Sequence, residues 1–268
     1  MTDGHDLRAQ VTERSGIPSA RRVVVKVGSS SISGDNAGQI EPLVDALAAA
    51  HARGTEIILV SSGAIATGMP FLKLDARPND LATQQAAAAV GQNVLIYRYQ
   101  NSLRRFGITA GQVLLTAGDL ENPTHRSNAQ RAMDRLLGLR ILPIVNENDT
   151  VATHEIRFGD NDRLAALVSQ LVEADALVLL SDVDALYTRP PQEPGAVMIS
   201  EVPIGDDLAG VTFGDIGAAG VGTGGAATKV SAARLAAAAG TAVLVTSTGR
   251  VAEALAGADI GTFFAPAP

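Results

Sequence analysis

A lysine inside an apolar segment is the first residue of this sequence that could do chemistry. Lys26 belongs to the run Val23–Val27, which is typical of a strand buried on both faces of a sheet. Burying a cation costs free energy unless the cation is paired. The ammonium group could reach over the end of the strand towards a phosphate. An edge strand, or a lysine that extends to the rim of the sheet, would explain the same pattern without a function.

A second lysine closes a glycine-rich segment, Gly220–Lys229, that leads into a predicted helix. Small residues let backbone N–H groups approach an anion closely, and the helix adds its positive end. The segment is not a Walker A loop, because Thr228 precedes Lys229 and Val230 follows it. It also fits G-x-G-x-x-G, but no convincing strand leads into it, which disfavours a dinucleotide-dependent oxidoreductase. What remains is an anion-binding loop that carries one lysine.

Three polar residues stand together before another predicted helix. Asp160, Asn161 and Asp162 follow Phe158-Gly159, and one of them could simply be the helix N-cap. Three such groups are more than a cap needs. Their carboxylates could orient lysines, or hold Mg²⁺ through water, since that ion prefers oxygen ligands.

Small or polar residues also follow four apolar runs, and they occupy the segments Gly28–Ser31, Ser61–Ala64, Asn146–Asp149 and Ser181–Asp182. In an open parallel sheet, ligands bind at the carboxyl ends of the strands. One such loop is ordinary turn chemistry, but four together indicate an anion-binding edge. A serine hydrolase is excluded, because Ser62 lacks the G-x-S-x-G frame and no histidine is suitably placed.

The elements that must position these residues alternate along the chain. Strands are predicted at Val23–Val27, Ile57–Val60, Gln112–Leu115, Ile141–Val145, Ala176–Leu180 and Ala242–Val245. Helices are predicted around Leu43–Ala50, Val94–Leu103, Leu164–Leu171 and Val230–Ala239. The alternation predicts an α/β fold, a three-layer αβα sandwich with a central mainly parallel sheet. We expect one domain over residues 21–268, preceded by a mobile tail over residues 1–20.

Composition excludes several classes of function. The 268 residues include no cysteine, so disulfides, thiolate nucleophiles and cysteine-held metals are excluded, and the four histidines are scattered. A net charge of -7 makes nucleic acid and anionic membranes poor partners. No apolar run approaches the ~18 residues that span a bilayer. The first residues lack the apolar core of a secretion signal, so we expect a cytoplasmic protein.

Taken together, the motifs resemble those of the amino acid kinase family. The matching segments are VVVKVGSS (Val23–Ser30), VSSGAIATG (Val60–Gly68), VGQ (Val90–Gln92), LPIVNENDTVAT (Leu142–Thr153), FGDNDRLAA (Phe158–Ala166), LLSDVDALY (Leu179–Tyr187) and GTGGAATK (Gly222–Lys229). They follow the family's order and span nearly everything from Val23 to Phe264. The V-N-E-N-D and G-D-N-D segments are similar to those of the branch that acts on glutamate.

The resemblance implies a reaction and roles for particular residues. The reaction is transfer of the ATP γ-phosphoryl group to the γ-carboxylate of L-glutamate, which gives L-glutamyl 5-phosphate in the first step of proline biosynthesis. Lys26 and Lys229 would flank the transferring group, and Asp162 would orient both lysines. The residues implied to hold glutamate are Ser62, Asp149 and Asn161, with Asn146 nearby. The residues implied to contact ATP are Lys26, Ser181, Asp182, Thr223, Gly224, Gly225, Ala226, Ala227, Thr228 and Lys229.

The resemblance also implies cofactors and partners. Magnesium would be held mainly by the ATP phosphates, with no direct protein ligand. A homodimer or homotetramer is expected, as is a hand-off of the product to glutamyl phosphate reductase. Many family members carry an appended PUA domain, and we expect this chain to be a kinase domain without one.

Two alternatives remain open at this stage. The acceptor could be another carboxylate or a carbamate, such as N-acetylglutamate or aspartate. An acetylated substrate would not need Asp149 as a counter-ion for a free α-amino group. A non-catalytic nucleotide or amino-acid sensor could share the fold, but it would have no use for two phosphoryl-stabilising cations at Lys26 and Lys229.

Overall fold

A computed structural model describes residues 10–152, 161–212 and 225–268 of the chain. Its strands are β1 (Arg22–Lys26), β2 (Glu56–Val60), β3 (Ala110–Leu115), β4 (Leu142–Glu147), β5 (Ala176–Ser181), β6 (Leu186–Tyr187), β7 (Met198–Ile199), β8 (Glu201–Val202), β9 (Ala242–Ser247) and β10 (Thr262–Phe264). Its α-helices are α1 (Ile40–Ala52), α2 (Ala64–Gly68), α3 (Leu81–Leu103), α4 (Ala117–Glu121), α5 (Pro123–Gly138), α6 (Asn161–Leu171), α7 (Ala226–Ala237) and α8 (Val251–Leu255). Short 3-10 helices occupy Arg14–Ser19, Gly34–Gln39, Met69–Leu72, Arg104–Phe106 and Thr248–Arg250.

Eight strands form one sheet in the order β3-β4-β2-β1-β5-β9-β10-β8. Neighbouring strands are parallel except β10, which runs antiparallel to β9. Lys26 pairs with Val60 of β2 on one side and with Leu179 of β5 on the other. The lysine therefore ends an interior strand, and the edge-strand explanation of its position is wrong. The mainly parallel sheet is confirmed.

The two faces of the sheet are covered by different helices. Val23 and Val25 of β1 belong to one core cluster, together with residues of α1, α2, α3 and α8. Val24 points to the opposite face, where the second cluster contains residues of α5, α6 and α7. Successive residues of a strand point to opposite faces, so a continuously apolar strand needs a layer of helices on each side. This arrangement confirms the predicted three-layer αβα sandwich.

Two glycines allow α2 and α3 to cross at backbone contact. A Cβ atom on Gly91 would lie 1.7 Å from the carbonyl oxygen of Ala64, and one on Gly68 would lie 1.9 Å from that of Ala87. Any side chain at either position would push the helices apart. The contact matters for the site because α2 begins directly after the loop at Ser62.

Residues 10–20 belong to the folded unit, so the predicted tail over residues 1–20 is wrong in this part. Val11 and Ile17 are buried in the first core cluster. Arg14 donates from Nε to the carbonyl oxygen of Ile260 at 2.9 Å. The sequence does not indicate this packing, because the few apolar residues of the segment follow no regular period. Residues 1–9 lie outside the described residues.

Helix α5 was not predicted from the sequence, because its pattern is mostly polar. Only Met133 and Leu137 of this helix are buried. The helix begins at a local signal instead: Asn122 accepts hydrogen bonds from the backbone N–H groups of Thr124 and His125 at 3.0 and 3.1 Å. Among residues 10–152, 161–212 and 225–268, no helix has the length and apolar character needed to cross a membrane.

Candidate active site

The carboxylate of Asp162 connects the two lysines that the sequence singled out. Asp162 lies in the first turn of α6, and its Oδ1 contacts Nζ of Lys26 at the end of β1. Its Oδ2 lies 3.0 Å from Nζ of Lys229 in α7. The side chain of Asp162 exposes none of its surface, and those of Lys26 and Lys229 expose 3% and 9%. The three charges sum to +1, so the cluster retains an attraction for a further anion.

Helix α7 begins beside this cluster. Gly225 is its N-cap, and Ala226 and Ala227 are its first residues. The first N–H groups of a helix have no acceptor within the helix, and they carry its positive dipole end. The hydroxyl of Thr228 turns inward, donating to the carbonyl oxygen of Gly225 at 2.8 Å, and it lies 3.4 Å from Oδ2 of Asp162. Thr223 and Gly224, which were predicted to contact ATP, lie outside the described residues.

An amide cluster lies next to the charged one. The Nδ2 group of Asn161 donates to Oδ1 of Asn146 at 2.6 Å and to the carbonyl oxygen of Ser61 at 2.5 Å. The Oδ1 atom of Asn146 also accepts from the backbone N–H of Glu147 at 2.9 Å. Because both partners of Oδ1 are donors, the orientation of the Asn146 amide is fixed.

The same amide has an unused donor. The Nδ2 group of Asn146 is buried and has no hydrogen-bond partner among the described residues. A buried N–H without an acceptor costs about 1–3 kcal/mol, so its presence favours a ligand that accepts a hydrogen bond there. Asn146 was predicted to lie after a strand, but β4 continues through Glu147 and buries both residues.

Ser62 and Asp149 lie at the same edge of the sheet, in the loops that follow β2 and β4. Both side chains are partly exposed. Gly63 follows Ser62 with φ of 89°, a left-handed conformation that glycine adopts without strain. A Cβ atom on Gly63 would lie only 3.2 Å from Cβ of Ser29. This turn brings the loop after β2 against the loop after β1.

A cluster of hydroxyl groups joins three further loops at this edge. Asp182, after β5, accepts from the hydroxyls of Ser30 and Ser31 at 3.0 and 3.1 Å. Thr248, after β9, donates to Oγ of Ser31 at 3.0 Å, and its hydroxyl lies 3.4 Å from the carbonyl oxygen of Ser181. Thr248 was missed from the sequence, because a lone Ser-Thr pair after a strand is ordinary turn chemistry.

The described residues contain no group of three histidine, cysteine, aspartate or glutamate side chains placed to hold a metal ion. The donors at this edge are instead ammonium, amide and hydroxyl groups, with Asp162 already engaged by two lysines. Such a set fits a magnesium ion that arrives on the phosphates of a nucleotide, because phosphates supply the oxygen ligands that the ion prefers.

Comparisons with known proteins agree with this geometry. The sequence model of the amino acid kinase family matches residues 21–247. Glutamate 5-kinase of Clavibacter sepedonicus is 78% identical over 253 residues, which cover 94% of this chain and 97% of that protein. The glutamate 5-kinase of Leifsonia xyli subsp. xyli is 74% identical, with 96% and 95% covered. That of Streptomyces coelicolor is 56% identical, and the match covers 94% of this chain and 68% of the relative.

The fold is also found among solved structures. Carbamate kinase from Giardia lamblia bound to AMP-PNP matches with a TM-score of 0.66 at 16% identity, over 93% of this chain and 100% of that one. At this identity the likeness establishes the fold, and the sequence matches establish the branch. The chain belongs to the amino acid kinase family and, within it, to the glutamate 5-kinases.

Proposed function

We propose that this chain transfers the γ-phosphoryl group of ATP to the γ-carboxylate of L-glutamate, which forms L-glutamyl 5-phosphate for proline biosynthesis. The observation that carries the proposal is the buried carboxylate of Asp162 between Lys26 and Lys229. This carboxylate holds the two ammonium groups beside the start of α7, where a triphosphate would be bound. The Asn146 amide, which Asn161 holds in place, lies next to this cluster and has an unused donor suited to a second anion.

The acceptor needs no general base. A γ-carboxyl group has a pKa of about 4.3, so it is already an anion at neutral pH. One carboxylate oxygen attacks the γ-phosphorus, and the bond from that phosphorus to the oxygen bridging it to the β-phosphate breaks. The bonding electrons leave with ADP. The site therefore has to position two anions and offset their repulsion.

Lys26 and Lys229 would perform that task by donating to the oxygens of the transferring group. Charge on these oxygens and on the leaving ADP would be stabilised by two buried cations that are already in place. Magnesium on the ATP phosphates supplies further neutralisation when bound. Asp162 would fix the positions of the two ammonium groups, so that both point to the transferring phosphoryl group, and it would not contact the substrate itself.

The acceptor would be held on the other side of the cluster. The unused Nδ2 donor of Asn146 suits a carboxylate, and Ser62 adds a hydroxyl. Asn161 would contribute by fixing the Asn146 amide, because its own Nδ2 hydrogens are engaged by Asn146 and by the carbonyl oxygen of Ser61. Asp149 would act as the counter-ion of the free α-amino group. An N-acetylated acceptor lacks that positive charge, so Asp149 favours L-glutamate over N-acetyl-L-glutamate.

Trapping the acyl phosphate with hydroxylamine tests the proposal. The purified chain is incubated with ATP, Mg²⁺ and, in separate reactions, L-glutamate, N-acetyl-L-glutamate, L-aspartate or carbamate. We expect an ATP-dependent hydroxamate with L-glutamate alone. Hydroxamate with another acceptor only would contradict the substrate assignment and the role of Asp149. No product with any acceptor, together with clear ATP binding, would support a sensor instead.

The chemistry of the product suggests where it goes next. An acyl phosphate is destroyed by water, so we propose a direct hand-off to a reductase in the cytoplasm. If free glutamyl phosphate is released at the full turnover rate, and added reductase gives no gain, the hand-off is wrong.

We also propose that the chain forms a homodimer, or a homotetramer of two such dimers. Helix α3 supports this, because Leu81–Tyr97 contains no charged residue and leaves Val90 and Tyr97 exposed. Asp80 precedes this segment and Arg98 follows it, so an antiparallel second copy would place opposite charges together. Light scattering after size exclusion would test it, and a monomer at micromolar concentration would contradict it.

A further inference from the structure

A tyrosine with no assigned role lies behind the acceptor loop. Tyr99 of α3 is fully buried in the first core cluster, among apolar side chains. Its hydroxyl lies 3.0 Å from Oγ of Ser61, the residue that follows β2. Burial raises the pKa of Tyr99, so the phenol stays neutral at physiological pH. A phenylalanine would fill the same apolar space, so the packing alone does not require the hydroxyl group.

Ser61 lies between Tyr99 and the acceptor loop. In the 3.0 Å contact between the two hydroxyl groups either one can be the donor. The Oγ atom of Ser61 also lies 3.4 Å from the carbonyl oxygen of Ser62, a longer and weaker contact. The hydroxyl of Tyr99 therefore holds the side chain of Ser61 from the core side, next to the peptide of Ser62.

Ser61 is also connected to the amide cluster. Its carbonyl oxygen accepts from Nδ2 of Asn161 at 2.5 Å, and its N–H donates to the carbonyl oxygen of Val145 at 2.8 Å. One residue thus joins Tyr99 to Ser62 and to Asn161, the two residues expected to hold the acceptor. The two lysines are held separately, by the carboxylate of Asp162.

We propose that Tyr99 is a positioning residue for the acceptor amino acid, acting through Ser61 on Ser62 and Asn161. The inference rests on the proposed function, because it assigns the loop after β2 to the acceptor. In this assignment Tyr99 affects the binding of the acceptor, whereas Asp162 affects the transfer of the phosphoryl group. Losing the phenol hydroxyl loosens the loop that holds L-glutamate and leaves the lysine–aspartate cluster intact.

The first test is the variant Tyr99→Phe, assayed for kcat and for the KM of both substrates. Losing one neutral hydrogen bond should raise the KM for L-glutamate roughly three- to tenfold. The kcat should stay within about twofold and the KM for ATP should not change, because the cations are untouched. Tyr97→Phe is the matched control, since Tyr97 is 66% exposed on the same helix and phenylalanine keeps the apolar surface that a second copy would cover. This control should behave as the wild type.

The second test asks whether Tyr99 acts through Ser61. Ser61→Ala should raise the KM for L-glutamate by a similar factor, and the double variant should be no worse than the single ones. Fully additive effects would contradict the relay. An unchanged KM for L-glutamate in Tyr99→Phe, or an equal change in kcat and in both KM values, would overturn the positioning role.

Folding and function are kept apart by two further measurements. The rise in melting temperature that L-glutamate causes should be smaller in Tyr99→Phe than in the wild type, and this readout needs no turnover. A wild-type chain that makes no glutamyl hydroxamate would overturn the proposed function together with this inference. If the wild-type chain makes glutamyl hydroxamate and Tyr99→Phe has the same KM for L-glutamate as the wild type, the inference alone is overturned.

Discussion

The Nζ atom of Lys229 lies 3.0 Å from Oδ2 of Asp162, and the other oxygen of the same carboxylate contacts Lys26. One fully buried carboxylate thus holds two cations, one at the end of strand β1 and the other in helix α7. A carboxylate and two ammonium groups leave one positive charge uncompensated. The cluster is therefore stable without a ligand and still attracts one.

Asp162→Asn removes the negative charge of this residue and keeps the size and shape of its side chain, so it tests the contribution of the charge. Two buried ammonium groups would then face each other without a counter-ion, so the free energy of unfolding should fall by about 3 kcal/mol. Misplacing both cations should lower kcat by about 10²–10³. Urea denaturation and the hydroxamate assay measure the two effects. Asp45→Asn is the control, because its ion pair with Arg105 is exposed and should contribute less than about 1 kcal/mol.

Lys229→Met should lower turnover and leave the protein folded. Lys26, Lys73 and Lys229 are the lysines of this sequence, and Lys73 is exposed, so it provides a matched control. Removing one phosphoryl-stabilising cation should reduce kcat by about 10²–10³, whereas Lys73→Met should not change it. Near-normal turnover in Lys229→Met would contradict the role of this lysine.

Asp149→Asn should weaken the binding of the acceptor and leave ATP binding unchanged. Losing one charge-assisted contact to the α-amino group should raise the KM for L-glutamate by about 10- to 100-fold. Steady-state kinetics with each substrate varied in turn would measure this. Asp75→Asn, on the surface, controls for the change of net charge. An equal loss for ATP and L-glutamate would show that Asp149 does not contact the α-amino group.

The sequence was sufficient to predict six of the eight strands of the main sheet, without β8 and the antiparallel β10, and most of the residues at its carboxyl edge. Continuously apolar runs such as Val23–Val27 can only be buried on both faces, so they predict interior parallel strands directly. A strand of that kind brings Lys26 to the carboxyl edge, and the family motifs add Asp162 and Lys229. The pairing of the three side chains follows from the fold.

Other contacts left no trace in the sequence. Tyr99 and Ser61 stand in different elements, and each fits an ordinary core or turn pattern, so their hydrogen bond appears only when α3 packs on the sheet. Residues 10–20 and helix α5 bury too few apolar side chains to show a period. Their positions depend on tertiary packing, which a local pattern does not encode.

Gly91→Ala should destabilise the protein strongly. The added Cβ would lie 1.7 Å from the carbonyl oxygen of Ala64, so α2 and α3 would have to separate. We expect the free energy of unfolding to fall by at least about 3 kcal/mol. Gly138→Ala is the control, because a Cβ there meets nothing within 4 Å. Its stability should stay the same or rise by up to about 1 kcal/mol. Equal stability of the two variants in urea would contradict the close crossing.

His51→Gln should make stability less sensitive to acid. Burial lowers the pKa of His51 below 6.5, and the charge of Arg140 lowers it further, although the hydrogen bond to the carbonyl oxygen of Arg140 opposes both effects. As the pH falls below about 6.5, the unfolded chain takes up this proton before the folded one, so the wild type loses stability through the pKa of the folded state. Glutamine can still donate a hydrogen bond to the carbonyl oxygen of Arg140, and it does not titrate in this pH range.

Urea denaturation of the wild type and of His51→Gln between pH 8 and pH 5 would measure this difference. Above pH 7.5 the two free energies of unfolding should run parallel, because the imidazole is neutral in both states. Below pH 6.5 the wild type should lose stability faster than the variant. Parallel curves over the whole range, or a steeper loss in the variant, would show that the pKa of His51 is not lowered by folding. The carboxyl groups titrate in both proteins and cancel in the comparison.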